Sequence, residues 1–255
     1  MSRRLILILN DGGRENHLPG VEIDAQNYLD FFHLPEAGLW GNGEIQVYRN
    51  NCSLEILHSY ILQARHNDLQ YVVIVFCGHG YSNRLGTTFF ELSPGNDASL
   101  PQIRDVVRET RCLMIADSCR VVYLAEGGRL RNVRMFSADQ SAEAYRRDCF
   151  QLYDNAFRAL SRGHFTIGMA ASLNQTAGED DNGGYYSRTL LTKARDLVRT
   201  KRITRHTSDE YNPIANFSLV HSLVCQSFAM NHNMTQTPDL EVPDGRQAPF
   251  VVVAP

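Results

Sequence analysis

The sequence predicts an α/β fold, a three-layer α/β/α sandwich with a mostly parallel central sheet. Four short segments, residues 5–9, 71–76, 112–116 and 165–171, are strongly apolar, and three of them are nearly unbroken. Strands covered on both faces must look like this. Between them lie stretches whose apolar residues recur at helical spacing. Alternation of the two kinds of segment is what right-handed strand–helix–strand crossovers produce.

The elements follow in order. Residues 5–9 form a buried strand; the run is too short for a signal-peptide core, and Asn10-Asp11 ends it at once. Ala25, Tyr28, Leu29 and Phe32 mark one face of a first helix. Residues 44–48 alternate in polarity, as a weaker strand nearer an edge would. Leu54, Leu57 and Ile61 make a second helical stripe, with Ser53 as its N-cap. After the strand at 71–76, Leu100, Ile103 and Val107 form a third stripe, and Pro101 suits its first turn. The strand at 112–116 precedes an interval, 124–149, with Gly127-Gly128, five arginines and little periodicity, which reads as a long exposed loop. The strand at 165–171 and helical stripes at Leu190, Ala194, Leu197, Val198 and at Phe217, Val220, Val224, Phe228 complete the pattern.

Composition removes several function classes. With 255 residues, 43% hydrophobic and 21% charged, the chain can build a large core and is no disordered polyelectrolyte. Its 25 basic and 28 acidic side chains give no general attraction to nucleic acid or anionic lipid. No apolar segment approaches the ~20 residues that span a bilayer. The six cysteines (52, 77, 112, 119, 149 and 225) include no CxxC pair and no zinc-finger spacing. The expectation is a single cytoplasmic domain with no nucleic-acid or membrane partner, no metal and no cofactor.

In open parallel sheets, ligands bind beyond the carboxyl ends of the strands. The run at 71–76 leads into Cys77-Gly78-His79-Gly80, that at 112–116 into Asp117-Ser118-Cys119-Arg120, and the first into Asn10-Asp11-Gly12-Gly13. A histidine between glycines and a cysteine thus leave the same sheet edge. A thiol becomes a useful nucleophile when a histidine handles its proton. Backbone N–H groups freed by the glycine context are suited to an oxyanion.

These residues resemble the motifs of the caspase/metacaspase cysteine peptidases (peptidase C14, clan CD), and the metacaspase and prokaryotic caspase-like members more closely. Phe76-Cys77-Gly78-His79-Gly80 and Ile115-Ala116-Asp117-Ser118-Cys119 are similar to the family's His-Gly and Asp-x-Cys motifs. The segment 18–25, ending in Asp24-Ala25, is similar to the metacaspase segment after the first strand. Ala170-Ala171-Ser172, the stretch 183–191 and Gln236-Thr237-Pro238 resemble small-subunit motifs, in the right order along nearly the whole chain.

The resemblance implies a caspase-like fold and a thiol protease in which Cys119 is the nucleophile and His79 the general acid. It places an oxyanion hole at the N–H groups of Gly80 and Cys119, and an S1 pocket at Asp24 and Asp117 with Cys77 beside them. Two carboxylates there favour a cationic P1 side chain, Arg or possibly Lys. A large-subunit-like portion would span 1–123, an activation loop 124–149 and a small-subunit-like portion 150–255. Arg129, Arg131, Arg134, Arg146 and Arg147 are then candidate cleavage points for the enzyme itself or an upstream protease. Protein substrates and an activating protease or regulator are the expected partners. Glu179-Asp180-Asp181 is read as a solvated loop and not as a calcium site. Two departures stand out: Cys77 replaces the serine of many relatives, and Arg120-Val121-Val122 replaces the metacaspase His-Ser-Gly. A catalytically silent binding or scaffold protein, and a peptidase with Asp preference at P1, remain alternatives.

Overall fold

A computed structural model describes residues 2–13, 17–120, 143–180, 182–200, 213–231, 234–242 and 247–253. Its centre is a six-stranded sheet. Five parallel strands, β1 (Ser2–Asn10), β2 (Ile45–Arg49), β3 (Leu69–Gly78), β7 (Arg111–Asp117) and β8 (Phe165–Met169), are joined by the antiparallel edge strand β12 (Asp239–Glu241). The spatial order is β12-β8-β7-β3-β1-β2. All five strands expected from the sequence are present, and the alternating one, β2, is an edge. A hairpin sheet of β4 (Gly80–Ser82), β5 (Thr88–Ser93) and β6 (Asn96–Ser99) follows β3. Two small ribbons, β9 (Glu179–Asp180) with β10 (Gly183–Gly184) and β11 (Ile214–Asn216) with β13 (Pro249–Val252), complete the β structure.

The unbroken apolar runs are explained by the two cores they feed. Leu5, Leu7 and Leu9 of β1, Tyr71, Val73, Val75 and Cys77 of β3, and Leu113 and Ile115 of β7 face one core. That core is closed by α1 (Gly20–Phe32), α4 (Glu143–Arg158), α5 (Tyr185–Thr200) and α6 (Phe217–Ala229). Ile6, Ile8, Val72, Ile74, Phe76, Cys112, Met114 and Ala116 face the other, under α2 (Leu54–His66) and α3 (Leu100–Val107). Because side chains alternate along a strand, a run buried on both faces needs an apolar residue at every position.

Helix starts follow local chemistry. Ser53 Oγ accepts the Ile56 N–H at 3.3 Å to begin α2. Ser99 and Gln102 form a reciprocal capping box at α3, with Pro101 in its first turn.

The expected loop at 124–149 needs correction at its end, since residues 143–149 are the first two turns of α4. Cys149, Tyr153 and Phe157 recur at i, i+4 and i+8 and are buried, while Arg146 and Arg147 point to solvent. Arginines and acids on the exposed face hide that narrow stripe from a reading of periodicity. Arg129, Arg131 and Arg134 lie outside the described residues. Among the described residues, no helix is long and apolar enough to cross a membrane. All six cysteines are free thiols.

Candidate active site

The carboxyl ends of β1, β3 and β7 are level with one another. Asn10 is in register with Gly78, and Cys77 with Asp117. His79 and Cys119 therefore leave neighbouring strands, each two residues beyond the Cys77–Asp117 register pair. Glycine permits the close approach here. A Cβ on Gly78 would lie 2.6 Å from the Asn10 carbonyl oxygen, and one on Gly80 2.8 Å from the Cys119 carbonyl oxygen and from Ser118 Oγ. The backbone that follows His79 is thus packed directly on the backbone that carries Cys119. The His79 carbonyl accepts the Glu91 N–H at 3.0 Å, which ties the segment to β5.

Two buried side chains fix the loop after β7. Arg120, 4% exposed, donates to Thr88 Oγ1 (3.0 Å), the Ala171 carbonyl (3.2 Å) and Asp239 Oδ2 (2.8 Å). Its backbone exchanges hydrogen bonds with Gln175 and Asn174. One guanidinium joins the cysteine loop to β5, the end of β8 and the edge strand β12. Gln236, also buried, accepts the Gly178 N–H at 2.7 Å and donates to the Ala170 carbonyl at 3.0 Å. That holds residues 177–178 against the sheet, and the Cys119 thiol donates to the Ala177 carbonyl at 3.7 Å. Burial is the main influence that pushes this thiol up, and the charges of Asp117 and Glu179 add to it.

Asp24, Asp117 and Cys77 come together, as the alternation of strand faces requires. Residues 113, 115 and 117 of β7 and 73, 75 and 77 of β3 share a face, and that face looks onto α1 and α5. Asp117 Oδ2 accepts both the Ser187 hydroxyl (2.6 Å) and the Ser187 N–H (2.9 Å) at the start of α5. Tyr28 of α1 donates to Ser187 Oγ at 3.1 Å. Asp24 Oδ2 accepts the Gly184 N–H at 2.9 Å.

Gly183 and Gly184 lie directly over the two carboxylates. A Cβ on Gly184 would collide with Asp117 Oδ2 and sit 3.0 Å from Asp24 Oδ2; one on Gly183 would collide with Asp24 Oδ1. Asp24 and Asp117 are 3% and 8% exposed, so water stabilises their charges poorly. Both carboxyls are raised, chiefly by burial, and Asp117 raises Asp24 further. Cys77, at 1% exposure, is sealed beneath them, and burial beside two acids pushes its thiol well up. Among the described residues, Asp24 Oδ1 is buried without a hydrogen-bond partner.

The ribbon β9–β10 corrects one expectation and adds a residue that the sequence reading did not place. Glu179 is half-buried at this site, not in a solvated loop. A Cβ on Gly20 would lie 2.5 Å from Glu179 Oε2, so the carboxylate caps the start of α1. Burial, with the Asp117 charge, pushes Glu179 up to about 7. Asp180 pairs with Arg188 Nη1 at 2.7 Å, and Arg188 lies over the Tyr185 ring. The available signal was Gly178 with Gly183-Gly184, which frames the acids as a tight ribbon. Asp181 lies outside the described residues. Among the described residues, no group of three or more His, Cys, Asp or Glu side chains is placed to hold a metal ion.

The fold is caspase-like. The solved structure of caspase-1 from Spodoptera frugiperda superposes with a TM-score of 0.59 over 96% of this chain and 88% of that chain, at 14% sequence identity. No protein-family model and no curated protein matches the sequence. The structural likeness therefore establishes architecture, and the chemistry rests on the residues themselves.

Proposed function

We propose that the protein is a cysteine endopeptidase that cleaves polypeptides after a cationic residue, Arg or possibly Lys. The observation that carries the reading is the convergence of three carboxylates, Asp24, Asp117 and Glu179, beside a cysteine at the carboxyl edge of the sheet. A buried acidic cluster with an unpartnered oxygen is electrostatically incomplete, and a guanidinium or ammonium supplies both charge and hydrogen-bond donors. The same cluster repels an aspartate side chain, which disfavours Asp at P1.

In this mechanism the Cys119 sulfur attacks the scissile carbonyl while the backbone N–H groups of Gly80 and Cys119 receive the oxyanion. His79 takes the thiol proton and passes it to the leaving amine as the C–N bond breaks. Water then hydrolyses the thioester, releases the carboxylate product and restores the thiol. The resemblance to metacaspases supports these roles, and the caspase-like fold agrees with it. Arg120 and Gln236 act as positioning residues for the cysteine loop and for residues 177–178.

Fluorogenic peptides with Arg, Lys or Asp at P1 test the proposal. Arg substrates should turn over with wild type and not with Cys119→Ala. Asp24→Asn and Asp117→Asn should each lower kcat/KM for Arg substrates about tenfold or more, equivalent to ~1.5–3 kcal/mol for a charged hydrogen bond. Equal turnover by wild type and Cys119→Ala would favour a silent scaffold, and exclusive cleavage of Asp substrates would refute the pocket.

A further inference from the structure

We propose that the cation seated among Asp24, Asp117 and Glu179 also arms the nucleophile, so that Cys119 becomes a thiolate only once the pocket is filled. This rests on the reading of the cluster as a cation pocket and extends it to regulation of the catalytic thiol.

The connectivity makes the coupling direct. Asp117 ends β7 two residues before Cys119. On the other side, the thiol donates to the carbonyl of Ala177, two residues before Glu179. Nucleophile and cluster are thus joined along two segments of the chain, and two of the three acids, Asp117 and Glu179, also act on the sulfur. A sulfur that donates to a carbonyl oxygen carries its proton. The carboxylates oppose ionisation of a neighbouring thiol for the reason that they attract a cation, and a bound cation cancels that opposition. The unpartnered, buried Asp24 Oδ1 marks the place where a donor is missing.

Other groups around the cluster do not cancel its charge. From β3, Cys77 is buried and pushed up, hence neutral; from α1, Tyr28 is likewise neutral and bonded to Ser187. From α5, Arg188 moderates Asp24 but is engaged by Asp180. His79 approaches from the end of β3. The step itself breaks only the S–H bond, and the proton passes to solvent or, in the proposed dyad, to His79.

Agmatine, an arginine side chain without a carboxylate, is the probe. The rate of Cys119 alkylation by iodoacetamide is followed against pH on the full chain by peptide mass spectrometry, with half-buried Cys225 on α6 as internal reference. Agmatine should lower the Cys119 midpoint by one pH unit or more, about a tenfold gain in thiolate near neutrality, and leave Cys225 unchanged. Glu179→Gln should lower the midpoint without agmatine and shrink the response; Asp117→Asn is the second variant should the first fold poorly. Simple blocking of access would lower the plateau rate and not the midpoint. A midpoint that stays put overturns the inference. If agmatine then still competes with Arg-peptide cleavage, the pocket reading survives; if it does not compete and Arg peptides are not cleaved, both fall.

Discussion

Glu179 shows how one residue's environment decides its chemistry. In water its carboxyl ionises near 4.5; here it is pushed to about 7 by burial and by Asp117. Between those values the folded form holds a proton that the unfolded chain has released. This group's contribution to stability is therefore greatest below about pH 4.5 and declines as pH rises towards 7. Asp24 and Asp117, also raised, have the same sign. Thermal unfolding measured from pH 5 to 8 should show a change of Tm with pH that is more negative in wild type than in Glu179→Gln. His221, which burial lowers to about 4, acts with the opposite sign below about pH 6.5, so the difference between wild type and Glu179→Gln isolates the glutamate. Arg120 is the opposite case, a buried charge whose hydrogen bonds are satisfied by three elements at once.

At the scale of elements, the ribbon β9–β10 does more for the acidic cluster than its length implies. Its two glycines lie where any side chain would strike the carboxylates. Gly183 also has φ +98°, a conformation that disfavours other residues. Gly184→Ala should close the pocket and lower kcat/KM for Arg peptides at least about tenfold, a loss of ~1.4 kcal/mol in transition-state binding. Gly43→Ala, with no heavy atom within 4 Å of the added methyl, is the control that should leave kinetics unchanged. Comparable losses in both variants would mean that the ribbon does not shape the pocket. The helix α4 carries a second lesson. Arg146 and Arg147 sit in hydrogen-bonded helical turns, whereas a protease needs an extended backbone. The helix argues against activating cleavage after Arg146 or Arg147, while Arg129, Arg131 and Arg134 lie outside the described residues.

For the whole molecule, a cut after Arg129, Arg131 or Arg134 would fall between β7 and α4, yet β7 and β8 pair in parallel over five residue pairs, from Cys112 with Phe165 to Ala116 with Met169. Residues from both sides of the cut, including Tyr71 and Phe157 stacked at 4.2 Å, also share one core. The two pieces should remain associated. Intact-mass analysis under denaturing conditions should resolve two fragments from wild type and one full-length chain from Cys119→Ala if cleavage is autocatalytic. Size exclusion under native conditions should show the fragments co-eluting. Separation of the pieces would contradict the shared core; wild type that stays full length while cleaving peptides would show that the cut is dispensable.

The sequence by itself determined the five parallel strands, every helix but α4, and the edge on which His79 and Cys119 lie. These features depend on periodicity and on residues next to one another in the chain. Even the common face of Cys77, Asp117 and the α1 side follows from counting alternate positions. Tertiary structure decided what distant segments contribute. Glu179 read as part of a solvated acidic loop until the ribbon brought it to the start of α1. Ser187 became a partner of Asp117 only through the packing of α5, Gln236 a brace for residue 178 only through the return of the chain to β8. The antiparallel strand β12 has three residues, too few for a period-two signal, and exists because the edge of β8 and the Arg120–Asp239 pair hold it there. Short elements and buried charges take their meaning from partners far away in sequence, and periodicity carries no record of those.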